Sequence, residues 1–230
     1  MVLYVSVKTV IRVLILGVVI LGIANLLVNI STLFLGHDYI YGLVPLFDFY
    51  QESNIPTWYS SLLLFVAASL LGLISILSKE EKESDTIYWI GLTLLFLFLS
   101  LDEIAQLHEL SGEIVGTIGR GSGMLYNIWV VNAGIGVAIF LVIYFRFWNS
   151  LPSTIKKLFF FSGVIYVGGA LGLELVESYF YDIYRTINGV IALFIGLEEM
   201  MEMLGVILFI YSLMVYIRDL KRRNIELHFK

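Results

Sequence analysis

Six long apolar runs, separated by short polar breaks, dominate the chain: roughly Val10–Leu35, Trp58–Leu77, Ile87–Leu107, Ile128–Phe147, Leu158–Tyr179 and Ile187–Ile217. Each is long enough to cross a hydrocarbon core of ~30 Å at about 1.5 Å of rise per residue. A segment in lipid must satisfy its own backbone polar groups, which selects helices over open strands. The in–out alternation of a membrane barrel strand is missing. The pattern therefore predicts an all-α, polytopic membrane helix bundle of about six transmembrane helices, with residues 1–230 forming a single transmembrane domain. The first run follows Lys8 and Arg12, as a signal peptide would. It is too long for such a segment and no small-x-small cleavage pattern follows it, so it is expected to be the first span.

Composition sharpens this picture. Of 230 residues, 59% are hydrophobic and only 14% charged, against roughly a quarter charged in a soluble domain, so the spans leave no soluble domain. The net charge of −5 and the lack of a basic face argue against a nucleic-acid partner. The absence of cysteine excludes disulfides, thiolate metal sites and thiol redox chemistry. Twelve of the 14 Lys and Arg residues fall on one side of the expected topology, leaving Arg120 and Arg185 on the other. By the positive-inside rule the chain is expected in the cell membrane, multi-pass, with both N-terminus and C-terminus cytoplasmic. The first outer loop, from His37 to Thr57, carries Tyr39, Tyr41, Phe47, Phe49 and Tyr50. Amphipathic rings of this kind anchor at the headgroup level; the alternative for this loop is a lid or gate.

Against this apolar background, three spans carry acids well inside their length. The third reads LSLDEIAQLHELSGE, with Asp102, Glu103, His108, Glu109 and Glu113; the fifth reads LGLELVES, with Glu174 and Glu177; the sixth reads GLEEMMEMLG, with Glu198, Glu199 and Glu202. One charge at the bilayer centre costs about 2.5–3.5 kcal/mol on insertion scales, so these groups are expected to face one another, water or a bound cation. Asp102 and Glu174 lie ~22 and ~24 Å up their spans and Glu198 ~16 Å down its own, which puts all three between the mid-plane and the outer surface. At about 100° per residue, Asp102, Gln106, Glu109 and Glu113 form one helical stripe, flanked by Glu103 and His108. Glu174 and Glu177 share a face, as do Glu198 and Glu202. Asn25 and Asn29 in the first span, and Asn132 in the fourth, are candidates for hydrogen bonds to these carboxylates.

Carboxylates with a histidine suit iron, manganese or zinc. Two-metal sites in helical bundles pair Glu with Glu-x-x-His motifs from facing helices. Here there are two Glu-x-x-Glu pairs and one histidine, so a metal site is expected without the full pattern of that class. The candidate metal ligands are Asp102, Glu103, His108, Glu109, Glu174, Glu177, Glu198 and Glu202. The catalytic residues are not specified by this pattern. A divalent metal would activate water or oxygen against a lipid-soluble substrate; the alternatives are a cation or proton-coupled transporter, or a structural subunit of a membrane complex. Expected partners are the lipid bilayer and that substrate, with a homo-oligomer or a membrane-complex partner also open. No haem or nucleotide is expected: His108 lacks an axial partner, and Gly119–Gly123 lacks the lysine of a phosphate loop. The Met200, Met201 and Met203 run points in different directions, as packing residues do. Gly168, Gly169, Ala170 and Gly172 form a small-residue patch expected to be a close helix contact that positions Glu174. Asp182 and Arg185 read as an interfacial pair.

Overall fold

A computed structural model of the chain describes residues 6–80, 85–107, 121–127 and 129–227. It is all helix, with no strand among the described residues. Six helices are long and apolar enough to cross a membrane: α1 (Val7–Leu35), α3 (Ile55–Glu80), α4 (Thr86–Ala105), α5 (Trp129–Ser150), α6 (Ser153–Tyr184) and α7, whose apolar part is Gly189–Leu220. A five-residue helix, α2 (Leu43–Phe47), sits in the loop after α1. These six match the six apolar runs of the sequence, most of them extended by a few residues at their ends.

Helices α3 and α7 form the centre. Helix α4 lies along α3, the first half of α6 along α7, and α1 against α7. The core is built from Leu63, Leu64, Ala67, Leu71 and Ile74 of α3 with Met203, Ile207, Ile210 and Leu213 of α7. Polar side chains bridge neighbours at short range. Ser61 and Ser100 each donate a hydroxyl to the other's backbone carbonyl, at 2.7 and 3.0 Å, which fastens α3 to α4. Tyr59 donates to the Leu14 carbonyl of α1 at 2.6 Å, and Ser162 to the Gly205 carbonyl of α7 at 2.9 Å. Such bonds between helices hold a bundle together where lipid offers no competing water. Outward faces stay apolar, with Leu16, Ile20 and Leu27 on α1 and Ile139, Val142 and Phe145 on α5 all exposed, as lipid-facing surfaces require.

The two ends of the bundle differ in chemistry. At one end, Trp89 of α4 contacts Phe147 of α5, Phe159 of α6 and Tyr216 of α7, forming an aromatic cluster. The other end collects the end of α1, the loop around α2, the end of α4, the start of α5, the second half of α6 and the start of α7. Among the described residues, the intramembrane acids lie there.

Two local features depart from the regular helices expected of the sequence. Helix α4 stops at Ala105, and Gln106 turns left-handed (φ 56°) with its amide bonded to the Asp102 carbonyl at 2.7 Å. Its 20 residues already span ~30 Å, and the capping bond satisfies an otherwise orphaned carbonyl. The continuous helical stripe from Asp102 through Gln106 to Glu109 and Glu113 is therefore broken at Gln106. Asp102 and Glu103 occupy the last turn of α4, and Glu109 and Glu113 lie outside the described residues. The second departure is in α6, which widens into a π-helical stretch over Gly168–Leu173 before resuming as α-helix at Glu174. A π stretch changes the angular register of everything after it.

Close approach explains the glycines here. A Cβ on Gly169 would sit 3.0 Å from the Glu198 carbonyl oxygen, and one on Gly205 would sit 2.8 Å from the Tyr166 backbone nitrogen. Gly205→Ala should therefore push α6 off α7 and cost about 1–3 kcal/mol, read as a lower thermal midpoint of the detergent-purified protein. Gly163→Ala, where an added Cβ meets nothing within 4 Å, should show no such loss.

Candidate metal centre

The small-residue patch of α6 lies directly against the acid-bearing turn of α7. The Cβ position of Gly169 is within 3.3 Å of the Glu202 side chain and 3.1 Å of Met201. Just beyond the π stretch, Glu174 and Glu177 emerge one turn apart on the face toward α7, where Glu198 meets them. Each of these three offers a carboxylate oxygen lying within 4.8 Å of the other two. Oxygens so spaced can surround one ion held at about 2.0–2.6 Å.

Burial makes this convergence consequential. Glu174 is 9% exposed and Glu198 only 7%, while Glu177 is half-buried. The Glu174 Oε1 accepts hydrogen bonds from the Asn127 amide and, at 3.4 Å, from the Ser178 hydroxyl. The Glu198 Oε2 is shut off from solvent and has no hydrogen-bond partner among the described residues. A buried carboxylate left unsatisfied costs several kcal/mol. Three of them side by side repel, and the repulsion is relieved by protons or by a cation.

A second tier of acids surrounds the three. The Glu202 carboxylate is within coulombic reach of Glu199, Glu103, Glu174 and Asp102, and that of Glu199 within reach of Glu103, Glu52, Glu177 and Glu174. Asp102 and Glu103 are half-buried and feel the same patch, without contributing an oxygen to the close group of three. Of the eight ligands expected from sequence, then, Glu174, Glu177 and Glu198 converge, and Glu202, Asp102 and Glu103 stand around them. His108 and Glu109 lie outside the described residues.

Three members of the site escaped the ligand list. Glu199 lies beside the Glu198/Glu202 stripe and is one of the acids of the sixth span, without being among the eight candidate ligands. Glu52 sits in the first loop, where no span periodicity flags it. Asn127 lies just ahead of a span, at a position where a polar residue carries no signal. Of the asparagines expected near the carboxylates, the Asn25 Oδ1 accepts the Phe49 backbone amide at 3.0 Å, tying the loop to α1, and Asn132 is exposed. The methionines pack as expected, with Met200 against Gly22, Met201 against Gly168 and Gly169, and Met203 fully buried. Asp182 and Arg185 form an exposed ion pair.

The first loop is exposed in its first part and anchored in its second. Phe49 is buried at 5% exposure while Tyr41 is fully out. Asn54 organises the turn into α3, donating to the Asp48 and Gln51 carbonyls at 2.7 Å each and accepting the Thr57 amide at 3.2 Å. Burial pushes the Asp48 carboxyl above its usual range, an effect partly offset by the Tyr50 amide it accepts. The same loop brings Glu52 to the acid patch.

Residues 12–217 match the family model described as a domain of unknown function, DUF8692, and the chain belongs to that family. No curated protein and no solved structure matches it.

Asn54 caps α3 and closes the loop that carries Glu52. Asn54→Ala should cost about 0.5–2 kcal/mol, the usual loss on removing an N-cap side chain, measured as a fall in thermal midpoint against wild type.

Proposed function

We propose that this integral membrane protein holds a divalent cation between α6 and α7, with Glu174, Glu177 and Glu198 as its ligands. The observation that carries this is the Glu198 carboxylate: more than nine-tenths buried, with one oxygen unpartnered among the described residues, and facing two further carboxylates. A cation relieves all three at once. The donor set is oxygen only, which suits hard cations such as magnesium, calcium or manganese. Of iron, manganese and zinc, manganese fits these donors best; iron or zinc would draw on His108. Asp102, Glu103, Glu199 and Glu202 supply surrounding negative potential that attracts the ion, and one carboxylate off the metal can serve as general base.

A metal so placed polarises a bound water or a substrate oxygen. A lipid-soluble substrate reaches it from the bilayer, so the function that fits best is metal-dependent chemistry on such a molecule. The basic-residue bias turns the acid end outward and both termini to the cytoplasm of the cell membrane. A transporter would need a polar route through the opposite half. There the buried serines are already engaged: Ser162 with the Gly205 carbonyl, Ser212 with the Phe209 carbonyl and Ser78 with Thr86. The Trp89 aromatic cluster closes that end, which favours a site open to one side.

The test is Mn²⁺ titration of chelator-stripped, detergent-purified protein, following free Mn²⁺ by electron paramagnetic resonance. Wild type should take up one ion per chain. Glu198→Gln and Glu174→Gln should each weaken binding beyond the roughly 10–100-fold typical of residues behind the ligands. A wild type that binds no Mn²⁺, or variants that bind it equally well, would overturn the assignment.

A further inference from the structure

Among the described residues, Asn127 donates the shorter of the two hydrogen bonds seen on the Glu174 carboxylate, and its own position is held by contacts at the end of α6. It belongs to the described segment 121–127, which docks on the last turns of α6. The Gly123 amide donates to the Asp182 Oδ2 at 2.8 Å, and the Asp182 Oδ1 pairs with Arg185. The Arg185 guanidinium lies 5.1 Å over the Tyr126 ring, and that ring meets Tyr181 at 5.3 Å. This clasp sets the Asn127 amide against the Glu174 Oε1.

We infer that Asn127 is a positioning residue for the cation site, orienting the Glu174 carboxylate by donation while leaving the triad's charge intact for the ion. The inference rests on the cation-site assignment and adds the residue that tunes it. A metal-ligating carboxylate is ordinarily held by a hydrogen bond behind it. The donor's neutrality matters as much as its geometry: a lysine or arginine at this point would itself neutralise the acids and compete with a metal. An amide fixes the carboxyl plane and adds no charge. Ser178, 3.4 Å from the same oxygen, is too distant to replace it.

Terbium(III), a hard cation sensitised by nearby tyrosine and tryptophan, is the probe. Its luminescence titration gives affinity, and its lifetimes in H₂O and D₂O count the waters on the bound ion. Asn127→Ala should bind Tb³⁺ about 10–100-fold more weakly and admit extra water as Glu174 loses its hold. Asn127→Asp, which turns the donor into an acceptor facing Glu174, should also weaken binding, and Asn127→Gln, which keeps an amide, should recover part of the loss. Near-ultraviolet circular dichroism confirms that each variant is folded. If Asn127 were itself a ligand, Asn127→Asp would tighten binding, and that result overturns the positioning role. So does Tb³⁺ binding by Asn127→Ala with unchanged affinity and hydration, or a loss of affinity in which hydration stays at the wild-type value. Wild type that fails to bind Tb³⁺ removes the cation site itself, and the role of Asn127 with it.

Discussion

A carboxylate in a low-dielectric interior must be matched, and the acid end of this bundle is organised by that demand. Glu174, Glu177 and Glu198 come from two helices yet present oxygens within 4.8 Å of one another. Such an arrangement is unfavourable for bare charges and favourable around a cation. The surrounding backbone accommodates it. Glycine at position 169 lets α6 approach the Glu198 carbonyl, and the π stretch that contains it resets the phase with which Glu174 and Glu177 leave the helix. Packing and chemistry therefore share one short segment: what makes α6 and α7 adhere also brings their acids together.

The bundle is polarised along its axis. The Trp89 aromatic cluster fills one end with edge-on and stacked rings, and the Tyr144 hydroxyl there donates to the Tyr88 carbonyl at 3.2 Å. The other end carries the acids, the Asn25 tie, the Asn54-capped loop and the clasp around Asp182. Polar side chains are thus concentrated at one end of the bundle and aromatic packing at the other. In a small chain with short loops, the helices themselves carry the carboxylates that converge.

Much of this could be read from the chain. The apolar runs predict six spans because hydrocarbon thickness and helix rise fix their length, and the rarity of intramembrane acids marks Glu174, Glu177 and Glu198 among eight candidates. What escaped depended on tertiary packing. The stripe through Gln106 assumed an unbroken helix, whereas the left-handed turn at that residue depends on where the span ends. The π stretch looks, in sequence, like any small-residue patch. Glu52 and Asn127 lie outside the spans, where periodicity is silent, and reach the site only because a loop and a strap fold back onto it. Asn25 had the right height for the carboxylates, yet packing turned it to the Phe49 amide.

The central claim is that these acids gather around a positive charge. It is tested most directly by the anomalous scattering of protein crystals soaked in Mn²⁺. The account predicts a peak enclosed by Glu174, Glu177 and Glu198, within about 2.6 Å of an oxygen from each. A map with no peak there, or one showing the three side chains directed to separate surfaces, would contradict it.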